Sequence, residues 1–159
     1  MKYSKEYQER HDIDWFALYE GVPIHVASNG GEIPADIDRI DNRKWQSFLS
    51  NNEPPLTNAD IFVNDDWLND LDNRLSDSNS NIEAYHFDKE SYKQTFVEFA
   101  RFGFVSIDNA IVNNKYQYKV VAYPIEKERL FKVINTNSPR KLPNVVLDEK
   151  LKLDLWRKE

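Results

Sequence analysis

The sequence predicts an α+β domain: a mainly antiparallel sheet built from hairpins, about residues 15–27 and 104–123, packed against two to four helices. Three observations predict it. Two pairs of strand-like segments are each separated by a short turn. One segment, about 89–102, carries the apolar spacing of an amphipathic helix. Strands and helices also group in blocks rather than alternating β-α-β, which favours hairpin pairing over parallel crossovers.

Residues 1–13 are polar and read as a short helix or an extended arm, with a mobile stretch over about 1–10. Trp15 to Tyr19 is apolar throughout, as in a strand covered on both faces. Glu20-Gly21 is a turn, and Val22 to Ala27 alternates, with Val22, Ile24 and Val26 on one face. Pro23 has no N–H, so it belongs at an edge or at the strand start. Ser28 to Gly31 is a turn or loop. Pro34 suits the first turn of a helix, with Ile33, Ile37 and Ile40 at helical spacing. Asn42 is read as the cap of a second piece that contains Trp45, Phe48 and Leu49.

A loop with Pro54-Pro55 follows, over about 50–58. Asn64 is a good N-cap, and Asp65 and Asp66 fall in the first turn after it, where the helix dipole favours anions. Leu68, Leu71 and Leu75 make the apolar stripe of that helix. A loop over about 76–82 leads to a short strand from Ile82 to Phe87. Asp88 caps the strongest helix, with Tyr92, Phe96 and Phe99 on one face and Gly103 at its C-terminal end. Asn113-Asn114 tolerates positive φ and joins the strands 104–111 and 116–123 as a tight hairpin. Residues 125–134 read as helix, 135–143 as loop, and 145–156 fits either strand or helix.

Composition narrows the chemistry. The 159 residues suit a single domain with a real core, and four Trp, eight Tyr and nine Phe can fill that core with few side chains. There is no cysteine, so disulfides, thiolate metal sites and cysteine nucleophiles are excluded. Gly21, Gly30, Gly31 and Gly103 are the four glycines, and neither G-x-G-x-x-G nor the G-x-x-x-x-G-K-[ST] phosphate loop is present. The charged N-terminus has no apolar region behind it, and no run approaches the roughly 20 apolar residues of a membrane span. The expectation is a soluble, cytoplasmic protein with no membrane partner.

Charge is uneven. Residues 60–90 hold nine acidic and two basic residues, a net −7, whereas the whole chain carries −6. The ordinary explanation is a solvated helix face and an acidic loop. The sharper one is an electrostatic docking surface for a basic protein, using Asp65, Asp66, Asp70 and Asp72 with Trp67 as an aromatic anchor. The same field repels nucleic-acid phosphates.

Other constellations are weaker. His11, His25 and His86 show none of the metal-ligand spacings, and the aspartates from Asp65 to Asp77 do not fit a calcium loop, because Arg74 stands where a fifth-position ligand belongs. No metal or cofactor is expected. His11-Asp12-Ile13-Asp14 sets carboxylates beside an imidazole, but sequence neighbours in an arm are not expected to converge on a substrate. Tyr116, Tyr118 and Tyr123 with Phe102 and Phe104 suit sheet and core packing better than base stacking in an acidic protein. Two functional expectations result. The first is a non-catalytic interaction protein, inhibitor-like or adaptor-like, acting through the acidic segment. The alternative is a small enzyme or ligand-binding domain with a pocket near His25, Ser28 and Asn29, His25 serving as acid/base and requiring an open cleft. No catalytic set is assigned, which favours the first.

Overall fold

The computed structural model describes residues 1–78, 87–132, 139, 141–147, 151, 153, 155 and 156. The chain forms α1 (Lys5–Arg10), β1 (Asp14–Tyr19), β2 (Val22–Ala27), α2 (Arg39–Ser50), β3 (Ile61–Val63), α3 (Asp65–Ser78), α4 (Lys89–Ala100), β4 (Val105–Val112) and β5 (Lys115–Pro124). The five strands make one mixed sheet in the order β1-β2-β4-β5-β3. Three of its four pairings are antiparallel; β2 and β4 run parallel, with Ile24 opposite Val105 and Ala27 opposite Asp108. The α+β architecture of hairpins packed against helices is therefore the one the sequence predicts.

Both hairpins turn on residues with positive φ. Glu20 and Gly21 have φ of 50° and 79°, and Asn113 and Asn114 have 53° and 64°. Two consecutive positive φ values give the turn whose twist matches paired strands. Pro23 pairs with Leu18, but the parallel ladder to β4 begins only at Ile24, so its missing N–H is not needed there.

One face of the sheet lies under α4, whose Phe96, Val97 and Ala100 pack with Ala110, Val112 and Ala122, and with Trp67 and Leu68 of α3. The other face is a cluster of Trp15, Ala17, Ile24, Val26, Val105 and Ile107. It is covered by Ile33, Ile37 and the C-terminal residues Val145 and Leu147. Trp15, Phe16, Trp45 and Phe104 are all at most 1 % exposed. Rings of that size bury about 150–250 Å² each. At about 25 cal/mol/Å² this is about 4–6 kcal/mol of apolar transfer per ring, before ordering costs.

α4 begins and ends as its sequence requires. Asp88 accepts the Ser91 N–H at 3.0 Å. Gly103 has φ of 102°, and a Cβ there would lie 2.4 Å from the Phe131 N. Asn64 caps α3 by accepting the Trp67 N–H at 3.3 Å, and its own amide donates to the Val120 carbonyl at 2.8 Å.

Three local expectations are corrected. The helix expected from Pro34 starts only at Arg39, capped by Asp38, whose carboxylate accepts the Asp41 N–H. Ile33 and Ile37 instead anchor an irregular stretch against the sheet, at 5 % and 2 % exposure. Asn42 is no cap: it lies inside α2, buried, accepting the Phe16 N–H and donating to the Tyr3 hydroxyl and the Asp14 carbonyl. Long-range partners outbid the local capping preference. Over 125–132 there is only a short 3-10 turn at Lys127–Arg129, because Phe131 is drawn back to bond the Gly103 carbonyl and stack on Phe104.

α3 runs on to Ser78, so the first residues of the expected 76–82 loop are helical. The strand expected from Ile82 lies almost wholly outside the described residues, as does His86. Of the ambiguous 145–156 segment, the described residues form no helix; Asn144 bridges Leu18 in parallel, and Leu151, Leu153 and Leu155 pack on the sheet. Among the described residues no helix is long and apolar enough to cross a membrane.

Candidate functional site

The acidic segment divides once it is folded. Asp65 and Asp66 are exposed in the first turn of α3 and make no ion pair among the described residues. Asp70 is half-buried and accepts the Arg74 Nε at 2.9 Å, and Asp72 is also half-buried. Trp67 cannot be the aromatic anchor, because it is 5 % exposed and packs inward with Leu68. It packs beneath α4, and its indole N–H donates to the Tyr92 hydroxyl at 3.0 Å. The exposed aromatic nearby is Phe62, on the edge strand β3 that leads into α3, at 47 % exposure.

Tyr92 in turn donates to Asp108 Oδ2 at 2.6 Å. Asp108 is 8 % exposed. Burial pushes its carboxyl up to about 6, helped by repulsion from Asp12 and Asp14 and opposed by the Tyr92 hydroxyl. The Tyr92 phenol is raised as well, chiefly by burial and then by the Asp108 charge.

His25 is fully buried, at 0 % exposure. Its Nε2 lies 2.8 Å from Asp14 Oδ1 and its Nδ1 lies 2.7 Å from the Ser106 hydroxyl. The parallel register puts His25 directly opposite Ser106, and Phe99 of α4 stacks on the ring at 3.7 Å. A donor at Nε2 and an acceptor at Nδ1 satisfy all three groups at once. The order Ser106–His25–Asp14 has the chemistry of a nucleophile, base and orienter. However, Ser106 is 0 % exposed, so no substrate reaches its oxygen. The requirement of an open cleft at His25 is not met: His25 and Ser106 are a polar pair buried under α4, with the partly exposed Asp14 at its end.

The Ser28 loop is corrected in the same way. Ser28 is 0 % exposed, and its hydroxyl accepts the Ile13 N–H at 2.7 Å. Asn29 is exposed, but its N–H donates to Asp12 and its carbonyl accepts the Tyr116 hydroxyl. The Ser28 hydroxyl and the Asn29 backbone serve the fold.

What sequence reasoning set aside is a cleft of about 610 Å³ enclosed by α1, α2, the start of β1 and the end of α4. His11, Asp12 and Asp14 all line it, so these neighbours do converge. Arg39 and Arg43 of α2 line it too, at positions with no sequence signal linking them to Asp14. The Arg39 guanidinium sits 4.7 Å from the Tyr7 ring centre and 5.8 Å from that of Tyr3. Tyr7 stacks on His11 at 3.9 Å. Phe16, Leu49, Phe99 and Phe102 supply apolar wall. Pockets of this size suit small ligands.

Compared with protein-family models, characterised proteins and solved structures, the chain has no significant match. The class is an α+β domain with a five-stranded mixed sheet, an acidic first turn on α3 and a charged cleft.

Proposed function

We propose that this chain is a non-catalytic interaction protein that binds a basic protein partner, in the manner of an inhibitor or adaptor. The observation that carries the reading is the pair Asp65 and Asp66. Both are exposed and make no ion pair among the described residues, within a segment of net −7. Paired surface charges cancel at a distance, whereas an uncompensated pair projects a field that steers an oppositely charged surface. Phe62, rather than Trp67, is the exposed aromatic available beside them. The burial of His25 and Ser106 supports the same reading, since the one Ser-His-Asp string in the described residues has no access to solvent at the serine.

The test is salt-dependent capture. The immobilised protein is exposed to extract at low and high ionic strength, beside the Asp65→Asn/Asp66→Asn double variant. A specific partner should bind at low salt, elute as salt rises and be lost in the variant, because screening lengths fall to a few ångströms at high salt. Binding that ignores both salt and the substitutions refutes electrostatic docking through α3.

A further inference from the structure

The cleft between α1, α2 and the end of α4 holds charges of both signs that do not pair with one another. Asp14 has a side chain 39 % exposed, with Oδ1 held by the fully buried His25. Its Oδ2 has no partner among the described residues. Because His25 is itself fixed by Ser106 and sandwiched against Phe99, the carboxylate is held from behind in one orientation. Arg43 of α2 also lines the cleft, is exposed and makes no ion pair among the described residues. Arg39 is held over Tyr7 and Tyr3.

The other acids lining the cleft also each have a partner among the described residues. Asp12 accepts the Asn29 N–H at 2.8 Å, and Glu98 pairs with Arg101 at 2.9 Å. Two flexible opposite charges in a shared cavity would normally close on each other. Here the carboxylate is tied to the sheet through His25, and no ion pair joins it to the Arg43 guanidinium among the described residues. A carboxylate and a guanidinium that line one cleft without pairing with each other match a small molecule with a cation at one end and an anion at the other. Phe99, Phe102 and Leu49 leave an apolar wall for the rest of it.

We propose that this cleft binds a small zwitterion of the amino-acid class. Its ammonium group would sit on Asp14, its carboxylate on Arg43, and an apolar side chain against Phe99 and Phe102. A free ammonium offers three donors to the open carboxylate oxygen, and a carboxylate matches the guanidinium fork. This site is separate from the α3 surface, and its failure or success leaves that reading untouched.

The experiment titrates the full chain with each common free L-amino acid at millimolar concentration, by calorimetry and by amide chemical shifts. The expected result is saturable binding of at least one apolar amino acid, with shifts centred on Asp14, Arg43 and Phe99. Asp14→Asn and Arg43→Gln should each weaken it by about tenfold or more, the usual consequence of losing one charged hydrogen bond. N-acetylation or amidation of the same amino acid should do likewise without altering the protein, which keeps the test decisive if a variant folds poorly. Asp65→Asn should change nothing. No saturable binding by any of them, or binding indifferent to the blocked ends, overturns the proposal. Shifts that spread over the surface without saturating also overturn it.

Discussion

Replacing Asp108 with asparagine should make the protein more stable at neutral pH, and by an amount that vanishes in acid. In the unfolded chain this carboxyl ionises near 3.8, and in the fold it does so near 6, first because it is buried and then because Asp12 and Asp14 repel its charge. Below pH 3.8 the group is protonated in both states and carries no penalty. As pH rises toward 6 the unfolded chain releases its proton first, so the folded state binds more protons and stability falls. Above that range the folded state holds a buried charge, and the loss is complete.

A shift of about two units, at about 1.4 kcal/mol each, is a penalty of about 3 kcal/mol at pH 7. Asparagine is nearly the same shape, keeps an acceptor oxygen for the Tyr92 hydroxyl and has no charge. Urea denaturation followed by tryptophan fluorescence at a series of pH values measures both proteins. The useful quantity is their difference, because carboxylates held below their ordinary range, such as Asp38 and Asp60, bend the pH profile of each protein the other way. A gain for Asp108→Asn at pH 7 that is mostly gone by pH 4 and vanishes at lower pH is expected. A difference that does not change with pH, or a variant less stable at pH 7 than at pH 4 relative to wild type, refutes the reasoning.

Two further predictions concern the frame. Gly103→Ala should cost about 3 kcal/mol or more, because its Cβ would lie 2.4 Å from the Phe131 N and 2.8 Å from the Arg129 carbonyl oxygen. Gly21→Ala meets nothing within 4 Å and should cost only the left-handed backbone penalty of about 1–2 kcal/mol. Equal losses in chemical denaturation would remove the steric argument. Asp88→Ala should lower the melting temperature at pH 7, since the Ser91 N–H and hydroxyl hold that carboxyl below its ordinary value. Its stabilising effect is present above the unfolded value of 3.8 and is lost as pH falls further, so calorimetric scans of variant and wild type should converge in acid.

The sequence by itself determined the features whose cause is local. Asn113-Asn114 turns a hairpin because both residues tolerate positive φ, and Asp88 and Gly103 bound α4 because a capping oxygen and a missing Cβ act within one turn. Asn64 and the Leu68 stripe placed α3 for the same reason. What tertiary structure decided was every role set by a partner distant in the chain. Asn42 looked like a cap and became a buried crosslink to β1 and Tyr3. Trp67 looked like an anchor and turned inward to Tyr92, since nothing local states which edge of a helical stripe meets a second helix.

His25 finds Ser106 at a sequence separation of 81 residues, through the parallel pairing of β2 with β4, which no periodicity announces. The candidate site divides along the same line. His11, Asp12 and Asp14 were visible as a charged cluster, and the acidic excess around Asp65 was plain arithmetic. The cleft required α2 to bring Arg39 and Arg43 to the same cavity as that cluster and α4 to add the apolar wall. Short-range sterics and capping are written residue by residue, but a cavity is the space left between elements, so only their packing can make it.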